Sequence, residues 1–229
     1  MRIAIITDVH GNLPALEAVL ADLDEVRPDL VVQGGDVALG GPHPAEVIDR
    51  IRELGWPSVL GNSDVVLAGD EAIPEAERGF VAPAARTREL LGPERVAWLT
   101  SRPLEWRDSG IALVHAVPGD CWPVVAHDAP DDRFRQVYGT LGVPVAVYGH
   151  THHAHVRRLD GLTVLNSGSV SLSMDGDVRA TYAVVEDGQV AHRRVAYDVE
   201  PVIEDLLRIG YPNVEFYISW LRTGTMPSR

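Results

Sequence analysis

Ile3-Ala4-Ile5-Ile6-Thr7-Asp8-Val9-His10-Gly11-Asn12 is the stretch on which the fold turns. Its first four residues are apolar without a break, so they read as a short strand covered on both faces. Asp8, His10 and Gly11 come straight after it. Asn12 is placed to cap a helix, Pro14 falls in the first turn, and Leu16, Val19, Leu20 and Leu23 mark one apolar face. A doubly buried strand that feeds a helix opens a βαβ unit.

Outward from there the pattern repeats. Leu30-Val31-Val32 reads as the next strand and ends in Gln33-Gly34-Gly35-Asp36. A Gly- and Pro-rich loop, 40–44, leads to a helix with Val47, Ile48, Ile51 and Leu54 on its apolar side. Pro57-Ser58-Val59-Leu60 reads as a third strand, ending in Gly61-Asn62-Ser63-Asp64. The span 65–103 has helical periodicity, punctuated by Pro74, Pro83 and Gly92-Pro93. A hairpin is expected from 103–107 and 111–114 about Asp108-Ser109-Gly110, its second arm ending on His115. After an aperiodic loop, 118–132, a helix at 132–141 leads into Val143-Pro144-Val145-Ala146-Val147, a buried strand. Tyr148-Gly149-His150-Thr151-His152-His153-Ala154-His155 follows it and holds four of the nine histidines. By itself this cluster fits either ligands for two adjacent ions or a His-rich polar loop.

Beyond it the strands shorten and alternate, at 156–159, 162–165, 180–185 and 189–195, with Asp160-Gly161 and Asp187-Gly188 as turns. Two helices fill 199–222, broken at Gly210-Tyr211-Pro212. Their Phe216, Tyr217, Ile218, Trp220 and Leu221 suit core packing or an oligomer contact equally. The expectation is one domain over 1–229, with 199–229 a helical segment packed on it.

Composition limits the chemistry. The chain has 229 residues, with 33 Asp and Glu against 20 basic residues, for a formal charge of −13. No general nucleic-acid-binding face is expected from such a balance. Every basic residue is Arg, which excludes a lysine phosphate-binding loop, a Schiff base and pyridoxal chemistry. The lone Cys121 excludes an internal disulfide, a four-cysteine zinc site and a redox pair. The N-terminal apolar run is too short for a signal peptide, and no apolar run reaches membrane-spanning length. A cytoplasmic protein without membrane contact is expected.

Asp8 and His10, Asp36, Asn62, His115, and His150 and His152 all fall one to five residues past an apolar strand. The carboxyl ends of strands are where open α/β sheets bind ligands. Five strand ends thus deliver oxygen or imidazole ligands, and glycine directly precedes Asp36, Asn62 and His150. Carboxylate, imidazole and amide donors without thiolate suit Mn²⁺, Fe, Ni or Zn²⁺, with Mn²⁺ favoured. Seven ligands are too many for one first-row ion and fit two ions that share a carboxylate.

At these residues the chain resembles the calcineurin-like metallophosphoesterases. The elements are Asp8-x-His10-Gly11-Asn12, Gly35-Asp36, Gly61-Asn62-x-Asp64, Val114-His115 and Gly149-His150-x-His152, in the family's order. Stretches 40–47 and 166–170 are similar to the small bacterial and archaeal branch, and the resemblance extends to about residue 196. It implies a four-layer αββα sandwich with mixed sheets, an α/β (α+β) fold. It implies one ion on Asp8, His10 and His152, another on Asn62, His115 and His150, and Asp36 as the bridge. It also implies in-line attack on phosphorus by a metal-bridging hydroxide. Asp36, Asn62, Ser63 and Asp64 are then the catalytic set, with Asn12, Asn62, Ser63 and His153 beside the substrate.

Many members carry His where this chain has Ser63. A hydroxyl cannot deliver a proton near neutral pH as imidazolium can, so poor leaving groups suffer most and a phosphodiesterase is favoured. Ser63 as mere filler stays open beside that reading. His43 and His153 are candidates to replace the missing acid. Asp64 suits either support of its neighbours or a helix cap. Asn166 and Ser169 are placed to support the His loop. His127, His155 and His192 read as surface or loop histidines, and Cys121 and Trp122 as possible cleft residues. The alternatives are a phosphomonoesterase, a dinucleoside polyphosphate hydrolase, and a non-enzymatic scaffold on the same fold. An oligomer through the C-terminal helices is compatible with all of them.

Overall fold

In the computed structural model, which describes residues 1–227, strand β1 (Arg2–Ile6) lies at the centre of a four-stranded sheet. It pairs in parallel with β2 (Leu30–Gln33), Ile3 opposite Leu30, and antiparallel with β8 (Ala180–Glu186), which pairs with β9 (Gln189–Val195). Alternation along β1 decides the layering. Ile3 and Ile5 point to one side, toward the second sheet, while Ala4 and Ile6 point to the other, toward helices.

The second sheet has the order β3-β4-β5-β7-β6, from β3 (Glu105–Asp108), β4 (Ile111–Val114), β5 (Val145–Tyr148), β6 (His155–Leu159) and β7 (Leu162–Asn166). It repeats the alternation. Ile111, Leu113, Val145 and Val147 meet Ile3, Ile5, Ala183 and Val185 between the sheets. Ala112, Val114, Ala146 and Tyr148 face outward to Phe134 and Tyr138 of α5 (Asp131–Tyr138). On the far side of the first sheet, α1 (Leu13–Val26), α2 (Pro44–Leu54) and α4 (Val81–Thr100) bury Leu16, Val19, Ile48, Ile51 and Leu91. The result is the α–β–β–α sandwich with mixed sheets that the sequence implied. Each fully buried Ile or Leu in it contributes about 1.5–3 kcal/mol from burial.

Local signals explain the element ends. Asn12 caps α1, its Oδ1 accepting from the Ala15 N–H at 3.1 Å. Within α4, Gly92 takes φ 70° and ψ 166° before Pro93, a kink that the Gly-Pro pair announces. The expected strand at 57–60 is shorter than its sequence suggests, with Ser58 bridging Gln33 in parallel and α3 (Asn62–Val65) following at once. The C-terminal helices α6 (Glu200–Arg208) and α7 (Val214–Thr223) turn Leu206, Tyr217, Trp220 and Leu221 inward onto Leu172. The last two positions of the expected 199–229 segment lie outside the described residues. Among the described residues no helix is long and apolar enough to cross a membrane.

Candidate metal centre

Both sheets send the carboxyl ends of parallel strands to one place. The loop after β1 continues the ladder with the loop after β2: the N–H groups of Asp8 and His10 donate to Gly35 and Asp36 carbonyls at 3.1 and 3.0 Å. The loop after β5 is tied to β4 through the Gly149 N–H and the His115 carbonyl, 2.9 Å apart. A side chain stitches the sheets together, since His115 Nδ1 donates to the Gly34 carbonyl at 2.8 Å. Glycine is required where these loops meet. A Cβ on Gly61 would lie 2.1 Å from Asp36 Oδ1, and one on Gly149 2.6 Å from Asp8 Oδ2.

All seven sequence candidates converge here. Asp8, His10, Asp36 and His152 each offer one ligand atom, all within 4.8 Å of one another, an arrangement able to hold a metal ion. On the other side of Asp36, its Oδ1 is 3.4 Å from His115 Nε2, which is 2.9 Å from Asn62 Oδ1. The His150 ring lies 5.2 Å from that of His115, centroid to centroid. Its Nε2 donates to the Trp122 carbonyl at 3.1 Å, which leaves Nδ1 as its free nitrogen.

The hydrogen bonds fix which nitrogens are free. His10 Nδ1 donates to the Leu39 carbonyl at 2.6 Å, and His152 Nδ1 to that of Leu172. Both Nε2 atoms are therefore lone-pair sites, yet they face each other at 3.3 Å. Two lone pairs at that distance repel unless a proton or a cation sits between them. Asp8 Oδ1, fully buried and 3.1 Å from His152 Nε2, has no hydrogen-bond partner among the described residues. A buried carboxylate oxygen in that condition costs several kcal/mol in an apolar medium, about 1–3 kcal/mol by mutational measure.

Charged groups in the site act strongly on one another. Burial opposes ionisation of Asp8, but His152 beside it outweighs burial and holds it below the usual carboxylate range. Asp36 is likewise held low, burial being overcome by His115 and then His10. Burial works against a charged His115 too, yet Asp36 carries that ring up to about 10. His150, desolvated and beside His115, is pushed down to about 4. Burial, joined by the charge on Asp36, pushes Asp64 up to about 7. Asp64 accepts from the backbone N–H groups of Asp36, Val37 and Gly61 at 2.8, 2.9 and 3.0 Å, so it supports the Asp36 loop and closes the first turn of α3 as well.

A cleft of about 390 Å³ opens over the centre, and Asn62, Ser63 and His153 line it together with His10, Asp36, His150 and His152. Ser63 Oγ is buried and has no hydrogen-bond partner among the described residues, while its N–H donates to Asp36 Oδ1 at 2.9 Å. Asn12 does not line the cleft. Fully buried, it spends its amide on Ser171 Oγ and the Tyr197 hydroxyl at 3.0 and 3.2 Å, which corrects its expected place beside the substrate. His43 is also elsewhere, its Nε2 2.7 Å from Asp205 Oδ2, so it is no stand-in for the missing acid. Asn166 and Ser169 do hold the loops: Asn166 Nδ2 donates to the Gly149 carbonyl at 2.6 Å, and Ser169 Oγ to that of Asp8 at 3.0 Å.

Two other histidines differ from expectation. His155 and His192 belong to strands, the first packed against Tyr148 and Phe134, the second donating to the Asn166 carbonyl at 2.7 Å. His127 lines the cleft, its ring stacked on His153 at 4.0 Å and 9°. Sequence reasoning also missed Phe80, Met174, Tyr217 and Trp220 as cleft residues. Trp220 stacks on His152 at 5.7 Å, and its indole N–H donates to the Ser173 carbonyl at 2.6 Å. The aromatic run at 216–221 was the available signal, and it left core and interface undivided.

The αββα sandwich with a buried Asp/His centre at its strand ends defines a metallophosphoesterase. A sequence profile of the calcineurin-like phosphoesterase superfamily domain matches residues 1–188, and the chain belongs to that superfamily. It is similar to a metallophosphoesterase of Sphaerobacter thermophilus, whose crystal structure superposes with a TM-score of 0.83 at 29% identity over 98% of this chain and 99% of that one. An uncharacterized protein of Methanocaldococcus jannaschii is 28% identical over 92% of this chain and 93% of its own. A symmetrical bis(5'-nucleosyl)-tetraphosphatase of Methylococcus capsulatus is 35% identical over 53% of this chain and 45% of its own.

Proposed function

We propose that the protein is a dinuclear metal-dependent phosphodiesterase. Asp8, His10 and His152 would hold one ion, Asn62, His115 and His150 the other, with Asp36 shared between them. The observation that carries this is the unpartnered, buried Asp8 Oδ1 beside two opposed imidazole nitrogens, a donor set that fits a cation and is poorly satisfied without one. Its oxygen and nitrogen donors, free of thiolate, suit Mn²⁺, Fe, Ni or Zn²⁺, and Mn²⁺ is the ion proposed. When bound, the two ions would supply Lewis-acid activation of water for in-line attack on phosphorus and neutralise the phosphoryl oxygens.

The chain's own residues do the rest. The carbonyls of Leu39, Gly34 and Leu172 fix the tautomers of His10, His115 and His152, so that Nε2 is the donor in each. Asp64 holds Asp36 through the backbone and is a positioning residue. The Ser63 hydroxyl, unpartnered at the cleft wall, is placed to donate a hydrogen bond to a substrate oxygen. It cannot protonate a leaving alkoxide, which favours diesters with tolerable leaving groups over simple monoesters.

The test is Mn²⁺-loaded protein on bis(4-nitrophenyl) phosphate and on 4-nitrophenyl phosphate. Faster diester turnover is expected, and faster monoester turnover would replace this reading with a phosphomonoesterase. A second reading, hydrolysis of dinucleoside polyphosphates, draws on the tetraphosphatase relative. Its test is diadenosine tetraphosphate, with symmetric cleavage as the outcome that supports it. A scaffold without activity is disfavoured by the complete ligand set. A cytoplasmic setting, suggested by the single cysteine, belongs to the same proposal.

A further inference from the structure

Resting on the two-ion reading, we infer that Tyr211 and Trp220 are positioning residues for His10 and His152. Through them the C-terminal helices set the affinity of one ion position and not of its neighbour. Both α6 and α7 lie beyond residues 1–188, the span that the superfamily profile matches.

Each of the two imidazoles is tied to an aromatic side chain through one planar peptide group. The Leu39 carbonyl accepts from His10 Nδ1 at 2.6 Å, and the N–H of the same peptide, on Gly40, donates to the Tyr211 hydroxyl at 2.9 Å. That hydroxyl in turn is 3.0 Å from Thr87 Oγ1 on α4. The Ser173 carbonyl accepts from the Trp220 indole N–H at 2.6 Å, and the N–H of that peptide, on Met174, donates to the His152 carbonyl at 3.3 Å. A peptide group is rigid, so turning it at one end turns it at the other. Trp220 also stacks directly on His152, the ring planes 23° apart. These ties matter because His10 and His152 hold φ 49° and 54°, conformations that persist only under constraint. Tyr211 and Trp220 are both buried, and Leu172, whose carbonyl accepts from His152 Nδ1, packs in the same apolar cluster.

The second ion position is backed from earlier in the chain. His115 Nδ1 donates to the Gly34 carbonyl, His150 Nε2 to that of Trp122, and Asn62 opens α3. A change at Tyr211 or Trp220 therefore reaches the Asp8, His10 and His152 set first.

Mn²⁺ titrations by calorimetry test this, with H152A and H150A assigning the two binding events. Y211F and W220F, aromatic replacements that keep a buried ring, should each weaken the event lost in H152A about two- to tenfold, the worth of a hydrogen bond. The event lost in H150A should stay within about twofold of the unsubstituted chain. Y182F removes another buried tyrosine hydroxyl, the one bonded to Asp22 on α1, and should change neither event. Equal weakening of both events, or as large an effect in Y182F, would assign the loss to general softening and overturn the positioning roles. Unchanged affinities in both Y211F and W220F would overturn them too.

Linkage is reciprocal, so the unsubstituted chain reports the same coupling. Mn²⁺ should slow amide exchange in α6 and α7, and this protection should be absent in H152A and kept in H150A. Exchange in α6 and α7 that ignores Mn²⁺ would overturn the coupling. Binding of a single Mn²⁺ would overturn the two-ion reading; the positioning roles then stand if W220F weakens that ion and fall if it does not.

Discussion

Asp8, His10, Asp36, His150 and His152 all hold positive φ, between 49° and 63°, and these are five of the seven proposed ligands. Outside glycine such a conformation costs about 1–2 kcal/mol per residue and persists only where surrounding bonds impose it. Those bonds run through Asp64, Asn166, Ser169 and the glycines, so substitution at a glycine is expected to act on the centre before it acts on the fold. In G61A the new Cβ meets Asp36 Oδ1 and its N–H, and the Asp36 loop must move. The expected outcome is loss of bound Mn²⁺ by elemental analysis and at least a 10²-fold fall in diester turnover, with an unchanged far-ultraviolet circular dichroism spectrum. D36N, which removes the carboxylate proposed to be shared, should lower turnover by about 10³-fold or more. Substantial residual activity in D36N would sink the two-ion proposal. S63H places an imidazole at the cleft wall and is expected to raise 4-nitrophenyl phosphate turnover about 10- to 100-fold, within the range of general-acid contributions. No change would leave Ser63 as filler. The proposed ligands were legible because each follows a short apolar run closely. Trp220 and His127 were not, because helix packing and a loop bring them to the cleft from positions with no local mark.

At the scale of elements, Asp22 joins α1 to the sheet it covers. It accepts from the Tyr182 hydroxyl on β8 at 2.6 Å and from Arg193 on β9 at 2.6 and 2.7 Å. Arg193, followed by the Tyr182 bond, outweighs partial burial and holds the Asp22 carboxyl below its ordinary value. Because the folded pKa is depressed, the stabilisation is fully present above the unfolded value, near 3.8, and is lost as pH falls through the folded one. The Arg193 side chain is 41% exposed, so the bond is screened, and D22N is expected to cost about 1–2 kcal/mol at pH 7. Urea titrations should show that gap shrinking below pH 4; a gap independent of pH would assign the loss to packing. The helices and most strands were legible from periodicity and turn residues. The strand at 57–60 was overstated, because apolar content alone does not show that its pairing among the described residues is limited to the bridge to Gln33 and one bond from the Leu60 N–H to the Pro103 carbonyl. The C-terminal helices were legible as helices, but the direction of their aromatic face depends on Leu172, which reaches them from a loop far along the chain.

At the scale of the whole molecule the proposed pair of ions would set a positive centre against a negative surface. The chain has a formal charge of −13, and two divalent ions would bring it only to about −9, with all the added charge inside the cleft. A phosphodiester anion thus meets repulsion at long range and attraction at short range, and salt distinguishes the two. At 0.01 M ionic strength the Debye length, about 30 Å, exceeds the expected radius of gyration, about 17 Å, so the incoming anion senses the full negative charge. At 0.15 M it is about 8 Å, which removes the distant carboxylates from the sum while the partly buried centre is screened much less. Raising salt over this range is therefore expected to increase kcat/KM for bis(4-nitrophenyl) phosphate by about two- to threefold, with kcat unchanged, the reverse of an electrostatically steered enzyme. The increase should be larger for diadenosine tetraphosphate, whose greater charge feels more of the far field, and absent for an uncharged phosphotriester that binds the same cleft. A decrease with salt for the diester would mean that a cationic approach path dominates the encounter.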